Sequence, residues 1–170
     1  GAVLWNVSGT SPYVCPTPIL GPELLFSTSG AKGPLLAIVL DLNIPEEKRL
    51  QWSVPNAGPY VPTGIYYNDL LYIVDNAGIL SAFDPQTGAR NWRERLMDAE
   101  GVHASIVAGD NKIFIATHSG LVFVVEAAPG QETLEVLSTN PMGSAINATP
   151  AISQGELYIR TENKLYRITQ

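Results

Sequence analysis

At 170 residues the chain can bury one sizeable core and is too short for two ordinary domains, so it is read as a single unit over 1–170. Hydrophobic residues make up 45% and charged residues 15%, with 15 Gly and 13 Pro, a composition that excludes disorder and points to many short elements joined by turns. Ten Lys and Arg against 16 Asp and Glu give a net charge of −6, which excludes a basic footprint for nucleic acid, and the longest apolar run, Leu35 to Leu40, is far below the roughly 18 to 20 residues of a membrane span.

The chain opens on "VLWNVSG", which has the look of a short strand around Trp5. Cys15 follows. As the single cysteine it allows no internal disulfide, and a free cysteine is expected to be a small buried apolar residue. From there "CPTPIL", the turn "GPE", the strand "ELLFSTS" and the run around Leu35 lead to a charged stretch, "DLNIPEEKRLQW", in which Pro45 to Leu50 has room for one helical turn. The next segment repeats the order: "VPTGIYY", the turn "YND", the apolar alternating strand "LLYIVDN", the turn "DNAG" and a second apolar strand "ILSAFD". "DPQTG" then reverses the chain, with Pro where φ near −65° is wanted and Gly88 where a left-handed residue is wanted. A fourth strand, "ARNWRERL", carries Trp92 as "RLQWSV" carries Trp52.

Two further copies follow, with "HASIVA", "KIFIATH" and "LVFVVE" in one and "NATPAIS", "ELYIRTE" and "KLYRIT" in the other. Leu25, Leu71, Ile113 and Leu157 hold the same place in the four copies, at spacings of 46, 42 and 44 residues. Four short β-branched or aromatic strands per unit of this length mark the blades of a β-propeller, so the fold class is all-β with four four-stranded antiparallel blades. The blades run approximately 12–54, 58–97, 101–139 and 145–170. The last stops after its third strand, and an unpaired strand there is an exposed edge that residues 1–8 are expected to complete. Either the four blades close on themselves, or they are half of a larger ring whose remainder comes from a second copy or from the rest of a longer protein.

The stretch "GILSAFDPQTGARNW" resembles the pyrroloquinoline-quinone-like repeat, matching it at Gly78, Leu80, Ala82, Asp84, Thr87, Gly88 and Trp92. The resemblance covers nearly the whole chain and is strongest over residues 60–168, and residues 102–168 are similar to the C-terminal half of the secreted bacterial propellers of that family, related to the outer-membrane assembly propeller lipoprotein. The resemblance implies seven or eight blades in the complete ring, an extracytoplasmic (periplasmic or secreted) location, and a module that binds a protein or peptide as a scaffold. It also raises the alternative of a quinone-dependent dehydrogenase or other cofactor-binding propeller. Members of that enzyme type resemble one another in a vicinal Cys-Cys pair, a Glu/Asn/Asp calcium site and a catalytic Asp. None of these is matched here, so no cofactor, no metal and no catalytic residue is expected, and the balance lies against an enzyme.

Two histidines, His103 and His118, fall in loops that open on one face of a propeller, where they can approach each other without the three or four ligands a metal site usually needs. The tryptophans are expected to pack between blades. If the chain binds a partner, the loops before the first strand and between the second and third strands of each blade are where it is expected, and they present Tyr13, Tyr60, Asn76, His103, His118, Asn147 and Glu162.

Overall fold

The computed structural model describes residues 1–169; Gln170, the last residue of the fourth repeat, lies outside them. Among these residues there are fifteen strands and no α-helix. Blade 1 consists of β1 (Ile19–Leu20), β2 (Leu24–Thr28), β3 (Leu35–Val39) and β4 (Leu50–Val54), and blade 2 of β5 (Ile65–Tyr67), β6 (Leu70–Val74), β7 (Ile79–Phe83) and β8 (Arg90–Arg95). Blade 3 consists of β9 (Val107–Gly109), β10 (Lys112–Ala116), β11 (Leu121–Glu126) and β12 (Val136–Pro141). Blade 4 has three strands, β13 (Ala151–Ser153), β14 (Glu156–Arg160) and β15 (Leu165–Ile168). Every blade is an antiparallel meander, and a 3-10 turn at Glu46–Lys48 occupies the stretch expected to hold one.

The alternation expected of "LLYIV" is absent in burial, because β6 is buried at all five residues. A sheet covered on both faces needs apolar residues at both phases of the period, and here Leu70, Tyr72 and Val74 face blade 3 while Leu71 and Ile73 face blade 1. Three buried clusters follow from this arrangement. Phe26, Leu35, Leu71 and Phe83 fill the junction of blades 1 and 2; Tyr72, Leu80, Trp92, Ile113 and Phe123 fill that of blades 2 and 3; Ala116, Val122, Ile146 and Ile159 fill that of blades 3 and 4.

At the inner end of the blades, β1 packs on β5, β5 on β9 and β9 on β13. One hydrogen bond recurs at each step. Thr17 N–H donates to Thr63 Oγ1 (2.9 Å), Thr63 N–H to Ser105 Oγ (3.1 Å) and Ser105 N–H to Thr149 Oγ1 (3.1 Å). At the outer end Trp52 Nε1–H donates to Pro85 O on the next blade (3.0 Å) and Trp92 Nε1–H to Gln131 O (3.4 Å), so these two tryptophans do join neighbouring blades.

The arc is open. Among the described residues no buried cluster joins blade 4 back to blade 1, and Leu165 of β15 is 72% exposed. Residues 1–8 form no strand. They lie instead along blade 1, where the Asn6 N–H reaches the Glu46 carboxylate (3.4 Å) and the Arg49 guanidinium stands 5.2 Å from the centre of the Trp5 ring. The expected pairing with β15 fails within this chain because β15 sits at the opposite end of the arc. Cys15 departs from expectation too: it is exposed, in the loop that leads to β1.

Two stability predictions follow from single groups. The Tyr72 hydroxyl is buried with no hydrogen-bond partner among the described residues, and its pKa is pushed up to about 12, chiefly by burial and then by Glu126 and Tyr67. Tyr72→Phe should leave stability unchanged or raise it by up to about 1 kcal/mol, since it removes an unsatisfied polar group. A loss larger than about 1 kcal/mol in urea unfolding would mean that the hydroxyl has a partner.

The Asp84 carboxylate accepts the Gln86 and Thr87 N–H groups, both at 2.8 Å. The Thr87 N–H is the main reason its pKa lies below the usual value; burial opposes, and the Thr87 hydroxyl and Gln86 N–H add to the lowering. A carboxyl depressed in the folded state contributes stability that is complete above the unfolded value of about 4 and is lost as pH falls through the folded value. The stability gap between the wild type and Asp84→Asn should therefore narrow as pH drops from 7 towards 2. A gap that does not change with pH would contradict it.

Candidate functional site

Six of the seven loop residues singled out from the sequence fall into two groups. In the first, Asn147 Oδ1 lies 2.9 Å from His118 Nδ1 and 3.1 Å from His103 Nδ1, with the imidazole centres 5.6 Å apart. The two histidines come from blade 3 and the asparagine from the loop before β13, so repeat register puts one residue of each loop at this point. An amide oxygen only accepts, so a neutral ring that bonds to it does so through Nδ1–H and is left with a bare Nε2 lone pair. Glu162 is exposed beside them, lining a cleft with Asn147, Arg160 and Lys164, and its N–H is held by Ala145 O (3.0 Å). Among the described residues no three His, Cys, Asp or Glu side chains gather closely enough to hold a metal ion.

Asn147→Ala removes the acceptor common to both rings. Nitrogen NMR should show both neutral histidines as the Nδ1–H form in the wild type and as a mixture of tautomers in the variant, with a stability loss of about 1 kcal/mol. An unchanged tautomer ratio would show that the amide does not set it.

The second group is Tyr60 and Asn76. Asn76 Oδ1 accepts the Tyr60 and Val61 N–H groups (3.0 and 3.3 Å) while its Nδ2 donates to Val102 O (2.9 Å). The amide is thus engaged inside the molecule, where it staples the loops flanking blade 2. The Tyr60 side chain remains 46% exposed. Tyr13 joins neither group; it stands at φ +66° and 79% exposed beside Gly30 of blade 1.

Tyr60 and Asn76 also border a cleft of about 530 Å³ between blades 1 and 2 whose other lining residues were not anticipated from the sequence. Lys32, Arg90 and Arg93 supply its charge together with Asp75, and Ala57, Ile73, Ala77 and Ile79 its apolar floor. Asp75 is occupied, accepting the Ala77 and Ile79 N–H groups at 2.9 Å each. The available signal was the repeat register: the places of Arg90 and Arg93 are held by Leu50 and Ser53 in blade 1 and by Val136 and Thr139 in blade 3.

Comparison with known proteins extends the repeat reading. Residues 76–170 match a family model described as outer membrane protein assembly factor BamB. The protein of that name from Legionella pneumophila (strain Paris) is 24% identical over 107 residues, which cover 60% of this chain and 27% of that protein. The crystal structure of BamB from Moraxella catarrhalis superposes with a TM-score of 0.67 at 16% identity, over 89% of this chain and 45% of that one. The chain therefore spans less than half the length of either relative. The computationally designed Ika4 protein superposes with a TM-score of 0.72 at 13% identity over 99% of this chain and 98% of that one. These two likenesses establish the propeller fold.

Proposed function

The chain belongs to the family of the outer membrane protein assembly factor BamB, and from that premise we propose that it is a non-catalytic, protein-binding propeller of the bacterial envelope, working outside the cytoplasm as a scaffold. The observation that carries this reading is the open arc. Thr149 N–H and Thr17 Oγ1 are the two ends of the hydrogen-bond series that links successive blades. Among the described residues strand β15 has an unpaired backbone edge and an exposed Leu165, and such an edge is a template for a further strand. Further blades, from a second copy or from the remainder of a longer chain, complete the ring, and the rim carrying Tyr13, Tyr60, Asn76, His103, His118, Asn147 and Glu162 faces the partner.

The test is site-specific photo-crosslinking in envelope extracts, with the reactive group placed in turn at His118 on the rim, at Leu165 on the open edge and at Glu132 in the turn between β11 and β12. Adducts of defined mass from the rim and from the edge, and none from Glu132, support the reading. Adducts from no position, or equally from all three, would overturn it.

A further inference from the structure

We infer that the cleft between blades 1 and 2 is a binding site for an extended acidic peptide segment of a partner protein, an inference that rests on the protein-interaction reading above. In a chain of net charge −6, three of the ten Lys and Arg residues, Lys32, Arg90 and Arg93, line this single cleft. Among the described residues none of the three forms an ion pair; the pairs present are Lys112 with Asp110 and Arg167 with Glu156. The carboxylate within the cleft, Asp75, has one oxygen committed to two backbone N–H groups.

The two arginines share a face because of a backbone irregularity. In a regular strand, residues three apart point to opposite sides. Here the register shifts between Ala82 and Phe83, so that Phe83 pairs with Arg90, Ala82 with Trp92 and Ser81 with Arg93. The extra residue turns Trp92 towards blade 3 and leaves both Arg90 and Arg93 on the side of Phe83 and Ser81, facing blade 1. Blade 1 carries the same bulge, between Ala37 and Ile38, and blade 3 one between Val124 and Val125, yet both hold uncharged residues at these places. The fold therefore does not require the charges.

Phe83 supports this arrangement, its ring lying 5.2 Å beneath the Arg90 guanidinium. A ring under a guanidinium leaves the edge of the fork, with its N–H donors, turned towards a ligand. Guanidinium groups bind carboxylates in paired fashion, and a cleft that joins them to an apolar floor of Ile73, Ile79, Ala57 and Ala77 fits a chain in which acidic and apolar side chains alternate. A volume of about 530 Å³ is within the range of ligand sites and exceeds what a lone anion fills.

The experiment uses fluorescence anisotropy with a labelled ten-residue peptide that alternates glutamate and valine, against its glutamine counterpart. The wild-type chain should bind the glutamate peptide saturably and in a salt-sensitive manner, and the glutamine peptide weakly. The Arg90→Gln/Arg93→Gln variant should lose about tenfold or more in affinity, each lost charge-assisted bond being sufficient for such a change. Lys48→Gln/Lys112→Gln, which alters net charge equally at places outside both this cleft and the rim, should bind as the wild type does. Unaltered melting of both variants establishes that the fold is kept. Equal losses in the two variants, no saturable binding by the wild type, or full displacement by inorganic phosphate at concentrations comparable with the peptide would each overturn the inference. If that happens while the crosslinks at His118 and Leu165 persist, the cleft assignment falls and the interaction module stands.

Discussion

Trp92→Ala should lower the free energy of unfolding by about 3 to 5 kcal/mol, as truncation of a large aromatic in a packed core does. Trp92 is 7% exposed and belongs to the cluster that joins blades 2 and 3, with its ring 6.1 Å from that of Tyr72 at an interplanar angle of 59°. Alanine would leave a void against Tyr72, Leu80 and Phe123 that rigid sheets on both sides cannot close. The indole N–H bond to Gln131 is long, at 3.4 Å, and contributes little beside the packing. Phenylalanine at this position should therefore recover more than half of the loss. Trp52 offers the contrast. It is half-buried, and its N–H bond to Pro85 is shorter, at 3.0 Å, so Trp52→Ala should cost less in total and Trp52→Phe should recover a smaller share of that cost. Urea titrations of the four variants decide the matter. A Trp92→Phe as unstable as Trp92→Ala would refute the packing account.

The blade pattern was legible because each strand is bounded by turn residues and the unit recurs at nearly constant spacing. Leu25, Leu71, Ile113 and Leu157 all lie in the second strand of their blades. Closure of the ring was not legible. Whether four blades meet depends on the angle between neighbours, which is the summed outcome of side-chain volumes at three junctions and has no signature in any one segment. Residues 1–8 illustrate this: "VLWNVSG" has the composition of a strand, but a strand forms only where an edge is within reach. The rim was legible in outline, since register alone put His103 and His118 on one face. That Asn147 would come between them depends on the packing of blade 4 on blade 3. The pairing of Arg90 with Arg93 was hidden for a different reason. Their spacing predicts opposite faces, and a bulge, which sequence does not announce, places them together. Cys15 followed its loop rather than its residue type: the segment that leads into β1 lies on the surface, and an apolar side chain there has no core to enter.

Gly88→Ala should be strongly destabilising, with an expected loss of more than about 2 kcal/mol. Two separate effects add. Gly88 ends the "DPQTG" turn at φ +72°, where its N–H returns to Asp84 O (2.9 Å), and an L-residue held in that region is disfavoured by roughly 1–2 kcal/mol. A methyl group there would also stand 2.7 and 2.8 Å from two carbons of the Trp52 indole, inside van der Waals contact. Trp52 cannot retreat freely, because its N–H is tied to Pro85 of the same turn and its ring lies 5.8 Å from that of Phe26 in the cluster between blades 1 and 2. Glycine at this point is therefore required twice over, by the backbone and by the tryptophan of the preceding blade. Gly155→Ala separates the two requirements. It has a similar φ, +77°, with nothing within 4 Å of the added methyl, so it should show the conformational cost alone. The difference between the two losses measures the contact with Trp52, and combining Gly88→Ala with Trp52→Ala should recover part of it. Equal losses at Gly88 and Gly155, or strict additivity in the double variant, would show that the indole does not set the requirement for glycine.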